Sequence, residues 1–238
     1  MRAQMRREIV RKHAEEMRHG ADPNSTYNRR MRRALVLGAT GLVGSELLAQ
    51  ISADKTITQI VTITRRPIAD SRFESHVLPL EEMHTYPALF ETDEIFCALG
   101  TTIKKAGSQE EFRRIDHDLP LAAAKLGRQH GAGQFLLVSS LGADSKSRVF
   151  YNRVKGELED DLLALDYPSV TIARPSLLLG ARPEPRSGEE MGKKFGWLTP
   201  ARYKPIEASA VARALVDAAR EGRPGVRILE STEMRGGK

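Results

Sequence analysis

A tyrosine and a lysine stand four residues apart in the segment SRVFYNRVKGELEDD, residues 147–161. The segment has a helix-forming composition, and residues i and i+4 lie on one face of a helix, so Tyr151 and Lys155 are expected to be neighbours. A phenol in water loses its proton near pH 10, too high for proton transfer at neutral pH, and a nearby ammonium group lowers that value. The spacing indicates either a proton-transfer pair or a charged pair on a solvated helix face.

A glycine-rich turn provides a second candidate site. The sequence ALVLGATGLVGSELL places Gly38, Gly41 and Gly44 directly after an apolar segment and at the start of a helical one. Glycine permits a tight turn and lets a phosphate approach bare backbone, and a helix N-terminus offers unpaired N–H groups and a positive dipole end. In this strand–turn–helix context the glycines predict a dinucleotide pyrophosphate site.

The end of the second apolar segment bears on the choice of nucleotide. An NAD-binding fold commonly has an acidic residue there, which hydrogen-bonds the ribose 2′-hydroxyl. This chain has Arg65 and Arg66 in the segment TRRP. Guanidinium groups match a phosphate better than a hydroxyl. The pattern predicts NADP(H), with NAD(H) the less favoured cofactor; the alternative is an ordinary charged strand end.

Apolar and helical segments alternate along the main body, which indicates βαβ units around a parallel sheet. The fold class expected is α/β, with a doubly wound parallel sheet of Rossmann type in a single domain with a short C-terminal substrate-side lobe. Ligands bind beyond the carboxyl ends of the strands in such sheets. Ser139 and Ser140 end the fifth apolar segment and are therefore expected at the cofactor crevice. The predicted strands lie in RALVLGA, ITQIVTITRR, SHVLPL, EIFCALGTT, QFLLVSSLGA, SVTIARPSLLLG and VRILES.

The net charge of +6 belongs to the N-terminal end of the 238-residue chain. Residues 1–33 carry ten Lys/Arg and four Asp/Glu, and the rest carries 27 of each sign. Residues 1–30 are expected to be a partly helical, flexible extension and residues 31–238 the NAD(P)-binding domain, with Met31 an alternative start of translation. The equal numbers of positive and negative side chains in the main body do not support a nucleic-acid-binding surface there, so nucleic-acid binding is expected only through this basic arm.

Composition also bears on compartment and on metals. The single cysteine, Cys97, lies in an apolar segment and is expected to be a buried structural thiol. No apolar run has the roughly 20 residues that span a membrane. Glu8, Glu15 and Glu16 argue against a mitochondrial presequence, so a cytoplasmic protein is expected. The six histidines show no metal-ligand spacing, so no metal site is predicted.

Three motifs, GATGLVG, VSS and YNRVK, together resemble the signature of the short-chain dehydrogenase/reductase superfamily. The segments CALGTTIKKAGSQEEFRRIDHD, LLVSSLGADSKSRVFYNRVKGELE and ARPSLLLG are more narrowly similar to its atypical branch, which includes the Tat-interacting-protein-like oxidoreductases. The resemblance covers about residues 31–235. It implies an NADP(H)-dependent oxidoreductase that transfers hydride between the nicotinamide and a small-molecule carbonyl or alcohol substrate.

The resemblance also implies roles for individual residues. Tyr151 would be the proton donor or acceptor, Lys155 would bind the nicotinamide ribose and ease proton loss from the phenol, and Ser139 or Ser140 would orient the substrate. The remaining cofactor contacts would be Gly38, Thr40, Gly41, Leu42 and Val43 at the pyrophosphate, Arg65 and Arg66 at the 2′-phosphate, Leu99, Gly100 and Thr101 beside the nicotinamide half, and Arg174, Pro175 and Ser176 at the amide.

Two departures and several alternatives accompany the resemblance. The gap to Tyr151 is short, twelve residues from Ser139 and eleven from Ser140. Better-known members carry an asparagine on the fourth helix, where the segment RIDHD has Asp116. The alternatives are an NADP(H)-binding redox-sensing regulator with little turnover and a nucleotide-sugar epimerase or dehydratase. A homodimer through the fourth helix and the tyrosine helix is a further expectation. The Pro/Gly-rich residues 181–205 are expected to form a substrate-side lid or a plain packing loop.

Overall fold

The structure, a computed structural model, describes residues 31–179 and 200–236. Its centre is a parallel sheet of seven strands, with a separate two-stranded ribbon beside it. The sheet strands are β1 (Arg32–Leu37), β2 (Ile57–Thr64), β3 (Glu74–Val77), β4 (Glu94–Cys97), β5 (Gln134–Val138), β6 (Ser169–Arg174) and β9 (Gly225–Glu230). The ribbon pairs β7 (Leu178–Leu179) with β8 (Ile206–Glu207).

The strand order across the sheet is β3-β2-β1-β4-β5-β6-β9. The chain therefore moves outward from β1 to β3, returns to β4 on the other side of β1, and moves outward again. Adjacent connections leave in opposite directions at the carboxyl ends of β1 and β4, which is where open α/β sheets bind ligands. The predicted doubly wound fold is confirmed.

Helices cover both faces of the sheet. On one face lie α1 (Leu42–Ile51) and α6 (Ala208–Glu221), and on the other α4 (Leu119–Gln129) and α5 (Phe150–Leu163). Strand β1 shows why its residues are apolar without alternation: Ala34 and Val36 pack in one core, and Leu35 and Leu37 pack in the other. All four side chains are fully buried. Strands buried on both faces are typical of a parallel sheet with helices on each side.

Short elements that the sequence pattern does not predict complete the structure. The short helix α2 (Ile103–Ala106) precedes the segment SQEEFRRIDHDLPLAAAKLGRQHG, for which the sequence predicts one helix over residues 108–131. That helix is divided into α3 (Gln109–Arg113), a π-helical turn (Arg114–Asp118) and α4. Pro120 has no N–H for the carbonyl of residue 116, and its ring crowds that carbonyl, which favours the wider turn. A last helix, α7 (Ser231–Arg235), follows β9, and 3₁₀ turns occupy Leu80–Thr85, Pro87–Phe90 and Ala201–Tyr203.

Two sequence predictions concern residues that lie partly or wholly outside the described ranges. The basic extension, residues 1–30, is outside them, and so is most of the expected lid, residues 181–199.

Candidate cofactor and active site

A cavity of about 1520 Å³ opens at the carboxyl ends of β1, β4 and β5. It brings together residues that are up to 165 positions apart in the chain, from Gly38 to Tyr203. The predicted site residues that line it are Gly38, Thr40, Gly41, Leu42, Val43, Arg65, Arg66, Leu99, Gly100, Thr101, Ser139, Ser140, Tyr151, Lys155, Pro175 and Ser176.

The glycine turn forms the floor of the cavity between β1 and α1. Gly38 has φ +77°. A Cβ at this position would lie 2.4 Å from the carbonyl oxygen of Ala98, the residue that follows β4. A Cβ on Gly44 would lie 2.1 Å from the carbonyl oxygen of Gly38, so α1 packs directly on the turn. The first turn of α1 has no acidic residue and no side-chain cap, which leaves its N–H groups for a phosphate. These features fit a dinucleotide pyrophosphate.

Arg65 and Arg66 follow β2 at one end of the cavity, and both are exposed. The hydroxyl of Thr64 donates a 2.7 Å hydrogen bond to the carbonyl oxygen of Arg66, which fixes the turn of the chain there. Two guanidinium groups at the edge of a cavity suit a phosphate group. Their placement is compatible with the predicted 2′-phosphate contact.

Tyr151 and Lys155 both line the cavity from α5, one helical turn apart. The Lys155 ammonium is 2.7 Å from Oδ1 of Asp116, and the two side chains are 4% and 1% exposed. The other oxygen of Asp116 accepts a 2.8 Å hydrogen bond from the backbone N–H of Thr101. Burial lowers the pKa of Lys155, but its electrostatic interactions, chiefly with the carboxylate of Asp116, outweigh burial, and the net pKa is raised. Lys155 is therefore a permanently charged group in a buried ion pair.

Four contacts connect α5 to α3 and the π-helical turn. The rings of Phe112 and Tyr151 are 5.3 Å apart, and Asp116 pairs with Lys155. On an adjacent face, Arg113 pairs with Glu157 at 2.5 Å, and Nε2 of His117 lies 3.1 Å from Asp161. In each pair of contacts, the contacting residues are four positions apart on α5 and four positions apart on the opposite segment. This matched spacing fixes the register of α5 against α3 and the π-helical turn. This register points Tyr151 and Lys155 into the cavity together.

The two serines have different surroundings. Ser139 is buried, and its hydroxyl donates a 2.5 Å hydrogen bond to Glu159, which is fully buried. Arg174 pairs with the same carboxylate at 2.5 Å and with Glu230 at 3.4 Å. Arg174 was predicted beside the nicotinamide amide, but it does not line the cavity. The hydroxyl of Ser140 has only a 3.3 Å contact with the carbonyl oxygen of Leu141 among the described residues. Ser140 is the serine whose hydroxyl is free to meet a ligand.

Cys97 ends β4 beneath this site and is fully buried. Burial raises the pKa of its thiol to about 11, so it is a neutral packing group, as predicted. In residues 31–179 and 200–236, no cluster of three or more His, Cys, Asp or Glu side chains has a metal-binding arrangement. Within the same ranges, no helix combines the length and apolarity that crossing a membrane requires.

Some lining residues were missed by the sequence reasoning. Leu80 and Glu81 follow β3 and line the cavity, and Glu81 forms an ion pair with Arg114 from the π-helical turn. Asn152 lines the cavity beside Tyr151. The signal for Leu80 and Glu81 was present, because a residue that follows a parallel strand lies at the same edge of the sheet as residues that follow its neighbours.

The mouth of the cavity is formed partly by Arg202 and Tyr203. The Arg202 guanidinium lies 4.6 Å from the centre of the Tyr203 ring. Two groups hold this segment in place. Arg235 on α7 donates to the carbonyl oxygens of Ala201 and Lys204, and Ser176 donates a 2.5 Å hydrogen bond to the latter. The short C-terminal lobe thus contributes one side of the ligand cavity.

Comparison with known proteins places this site in a family. A family model described as "NAD dependent epimerase/dehydratase family" matches residues 34–193, which include both the glycine turn and the tyrosine helix. The chain belongs to this family. The match supports the resemblance to short-chain dehydrogenases/reductases. The matched range also contains β6 and the residues that follow it.

Curated relatives cover most of the chain. "Protein FMP52, mitochondrial" of Candida albicans is 36% identical over 203 residues, which are 80% of this chain and 89% of the relative. "Protein FMP52-1, mitochondrial" of Scheffersomyces stipitis is 34% identical and covers 84% of this chain and 96% of its own.

Several solved structures share the fold at low sequence identity. MoeE5 in complex with UDP-glucose and NAD has a TM-score of 0.66 at 18% identity and covers 83% of this chain and 75% of its own. The Bordetella bronchiseptica enzyme WbmG in complex with NAD has a TM-score of 0.64 at 16% identity, with 91% and 77% covered.

The relatives correct one sequence prediction. The cytoplasmic localisation is wrong, because these relatives are named as mitochondrial proteins. The inference failed because a single cysteine reports on disulfides and not on a compartment. Three acidic residues in the N-terminal segment were likewise too weak a reason to exclude a mitochondrial protein.

Proposed function

We propose that the protein is an NADP(H)-dependent oxidoreductase that interconverts a small carbonyl compound and its alcohol. The observation that carries the proposal is the meeting of two groups in one cavity. Tyr151 and Lys155 line the same space as the glycine turn between β1 and α1. Membership of a family of NAD(P)-dependent enzymes supports the same function.

The chain's own residues would divide the work as follows. NADP(H), when bound, supplies or accepts the hydride. The glycine turn and the first N–H groups of α1 would hold its pyrophosphate, and Lys155 would bind the nicotinamide ribose. Tyr151 would give a proton to the carbonyl oxygen during reduction or take it from the alcohol during oxidation. Ser140 would donate a hydrogen bond to the same substrate oxygen, since the hydroxyl of Ser139 is engaged by Glu159.

A screen for NADPH oxidation with aldehydes, ketones and quinones tests the proposal. Tyr151→Phe is expected to lower kcat by at least about 100-fold, because it removes the proton-transfer group and little else. Tyr86→Phe is the matched control, since Tyr86 is 45% exposed and lies outside the cavity. Equal activity of the wild type and Tyr151→Phe on every substrate turned over would contradict the acid/base role.

Ser140 and Ser139 can be separated in the same assay. Ser140→Ala is expected to lower kcat or raise KM with little change in stability. Ser139→Ala leaves one oxygen of the buried Glu159 with one hydrogen bond fewer, and is expected to lower the free energy of unfolding by roughly 1–3 kcal/mol. The reverse pattern would assign the substrate contact to Ser139.

NADP(H) is proposed over NAD(H) on the basis of Arg65 and Arg66, both exposed at the cavity edge. No acidic residue follows β2 at these positions to accept the ribose 2′-hydroxyl. Dissociation constants for NADPH and NADH, measured by fluorescence titration, decide the point. Equal or tighter NADH binding contradicts it.

A second candidate is an epimerase or dehydratase that returns the hydride to the same substrate. The family model and neighbours such as MoeE5 with UDP-glucose favour it. Such an enzyme converts a nucleotide sugar without net change in NADPH. Incubation with UDP-sugars and analysis of products by chromatography separates it from the first proposal.

We further propose that the protein is mitochondrial, from the names of its relatives. Fractionation of cells that express the full chain tests this localisation. Binding of nucleic acid by the basic residues 1–30 and a homodimer through α4 and α5 stay predictions.

A further inference from the structure

We propose that Asp116 is a positioning residue that holds Lys155 and offsets its charge, so that Tyr151 stays a proton donor at neutral pH and the site favours carbonyl reduction. The inference rests on the proposed acid/base role of Tyr151. It goes beyond that role because it assigns the preferred direction of the reaction to one carboxylate.

The geometry fixes Asp116 tightly. Its Oδ1 is 2.7 Å from the Lys155 ammonium, and its Oδ2 accepts the 2.8 Å hydrogen bond from the N–H of Thr101. The π-helical turn supplies the carboxylate from one side, and the loop after β4 encloses it from the other. A Cβ on Gly100 would lie 3.3 Å from Oδ1, so the backbone of that loop runs close against the ion pair. The carboxylate is therefore held at both oxygens, by the Lys155 ammonium and by the backbone N–H of Thr101.

The balance of charge around Lys155 follows from these contacts. Three titratable groups act on its ammonium: Asp116 from the π-helical turn, Tyr151 from the same helix and Cys97 from the end of β4. Cys97 is neutral below pH 10, because burial raises the pKa of its thiol to about 11. Lys155 and Asp116 are both almost fully buried, whereas the other charged side chains that line the cavity from this side, Lys105, Glu111 and Arg114, reach solvent. An asparagine at 116 would leave the ammonium alone, and a lone ammonium favours loss of the phenol proton.

The direction of the reaction depends on that proton. In reduction, the phenol O–H bond breaks and the proton joins the substrate oxygen, while the hydride from NADPH joins the carbon; phenolate and NADP⁺ remain. In oxidation, the phenolate must be present first to accept the proton of the alcohol. A site that keeps the phenol protonated at neutral pH therefore starts in the form required for reduction.

Asp116→Asn tests the inference, and Asp118→Asn is the matched control. Asp118 lies in the same π-helical turn, but it is 55% exposed and contacts His117. The first readout needs no cofactor: the chain has five tyrosines, and ¹³Cζ-tyrosine NMR follows each one against pH. Tyr151→Phe identifies the signal by its loss.

Asp116→Asn is expected to move the Tyr151 titration midpoint down by roughly one pH unit or more, whereas Asp118→Asn leaves it unchanged. The second readout is kcat against pH. The alkaline limb of reduction should move down with the NMR midpoint, and oxidation at neutral pH should rise by about tenfold.

The outcomes separate the two proposals. A folded Asp116→Asn protein whose Tyr151 midpoint stays at the wild-type value overturns the inference. Full activity of Tyr151→Phe would refute the proposed function, and the NMR midpoint would still report whether Asp116 controls the phenol. If Asp116→Asn does not fold, Asp116→Ser, smaller and also uncharged, takes its place with the same expected shift and the same contradicting result.

Discussion

The stability of the protein is expected to fall as pH rises from 5 to 8, because of one buried carboxyl group. Glu94 is the first residue of β4, at the end of the sheet opposite the cavity, and it is fully buried. One of its oxygens is 2.6 Å from Arg32, while the other has no hydrogen-bond partner among the described residues. Burial raises the pKa of Glu94 to about 7 despite the nearby Arg32.

The direction and the size of this pH effect on stability follow from the raised pKa of Glu94. The folded state holds the proton more tightly than the unfolded state, where the pKa is 4.5. The stabilisation is therefore complete below pH 4.5 and is lost as pH rises through 7. A difference of 2.5 pH units corresponds to roughly 3.4 kcal/mol, of which about 2.5 kcal/mol is lost between pH 5 and pH 8. Asp54 has a pKa lowered to about 2, so its own titration lies below this window.

Urea unfolding at pH 5, 6, 7 and 8 measures the effect. Glu94→Gln removes the titrating group and keeps the shape, so its stability should change less between pH 5 and pH 8 than that of the wild type, by about 2.5 kcal/mol. Glu221→Gln is the control, because that side chain is 39% exposed. If wild type and Glu94→Gln lose the same free energy of unfolding over this interval, the reasoning about Glu94 is refuted.

Three further predictions concern the cavity. Arg66→Ala should raise Kd for NADPH by about tenfold or more and leave Kd for NADH nearly unchanged, whereas Arg72→Ala, an exposed residue paired with Asp70, should alter neither. Gly44→Ala should prevent NADPH binding in a calorimetric titration and lower Tm, because the added Cβ would overlap the backbone of the glycine turn. Gly133→Ala is the control: no atom would lie within 3.4 Å of its Cβ, so NADPH binding and Tm should stay unchanged. Arg235→Gln should raise substrate KM more than it lowers kcat, since it frees the segment at the cavity mouth; an unchanged KM counts against that role.

The fold was predictable because its signals are local and repeat. Strand β1 is apolar at four successive positions, Ala34 to Leu37, and each face of the sheet receives two of them. Apolar residues without alternation, followed by a glycine turn, indicate a parallel strand that enters a helix. Strands β4, β5 and β6 are buried at nearly every position in the same way, whereas β3 (Glu74–Val77) is polar and partly exposed.

The site was predictable only in part, because its remaining features depend on pairs of distant residues. The spacing of Tyr151 and Lys155 can be read from one helical segment of the sequence. The ion-pair partner of Lys155, however, is Asp116, which lies in a π-helical turn elsewhere in the chain. Pro120 inside the helical pattern was the available sign of that turn. The two serines are adjacent, and only the position of Glu159 shows which hydroxyl is already engaged.

The matched spacing of α5 and its neighbour also limits how the helix can move. If α5 slid by one turn in one direction, Glu159 would replace Lys155 opposite Asp116, and two carboxylates would face each other in a dry interior. In the opposite direction, a phenol would take the place of the ammonium. Either slip leaves an unneutralised charge, so we expect any movement that admits a ligand to leave α5 in place and to involve residues 200–205 at the mouth of the cavity instead.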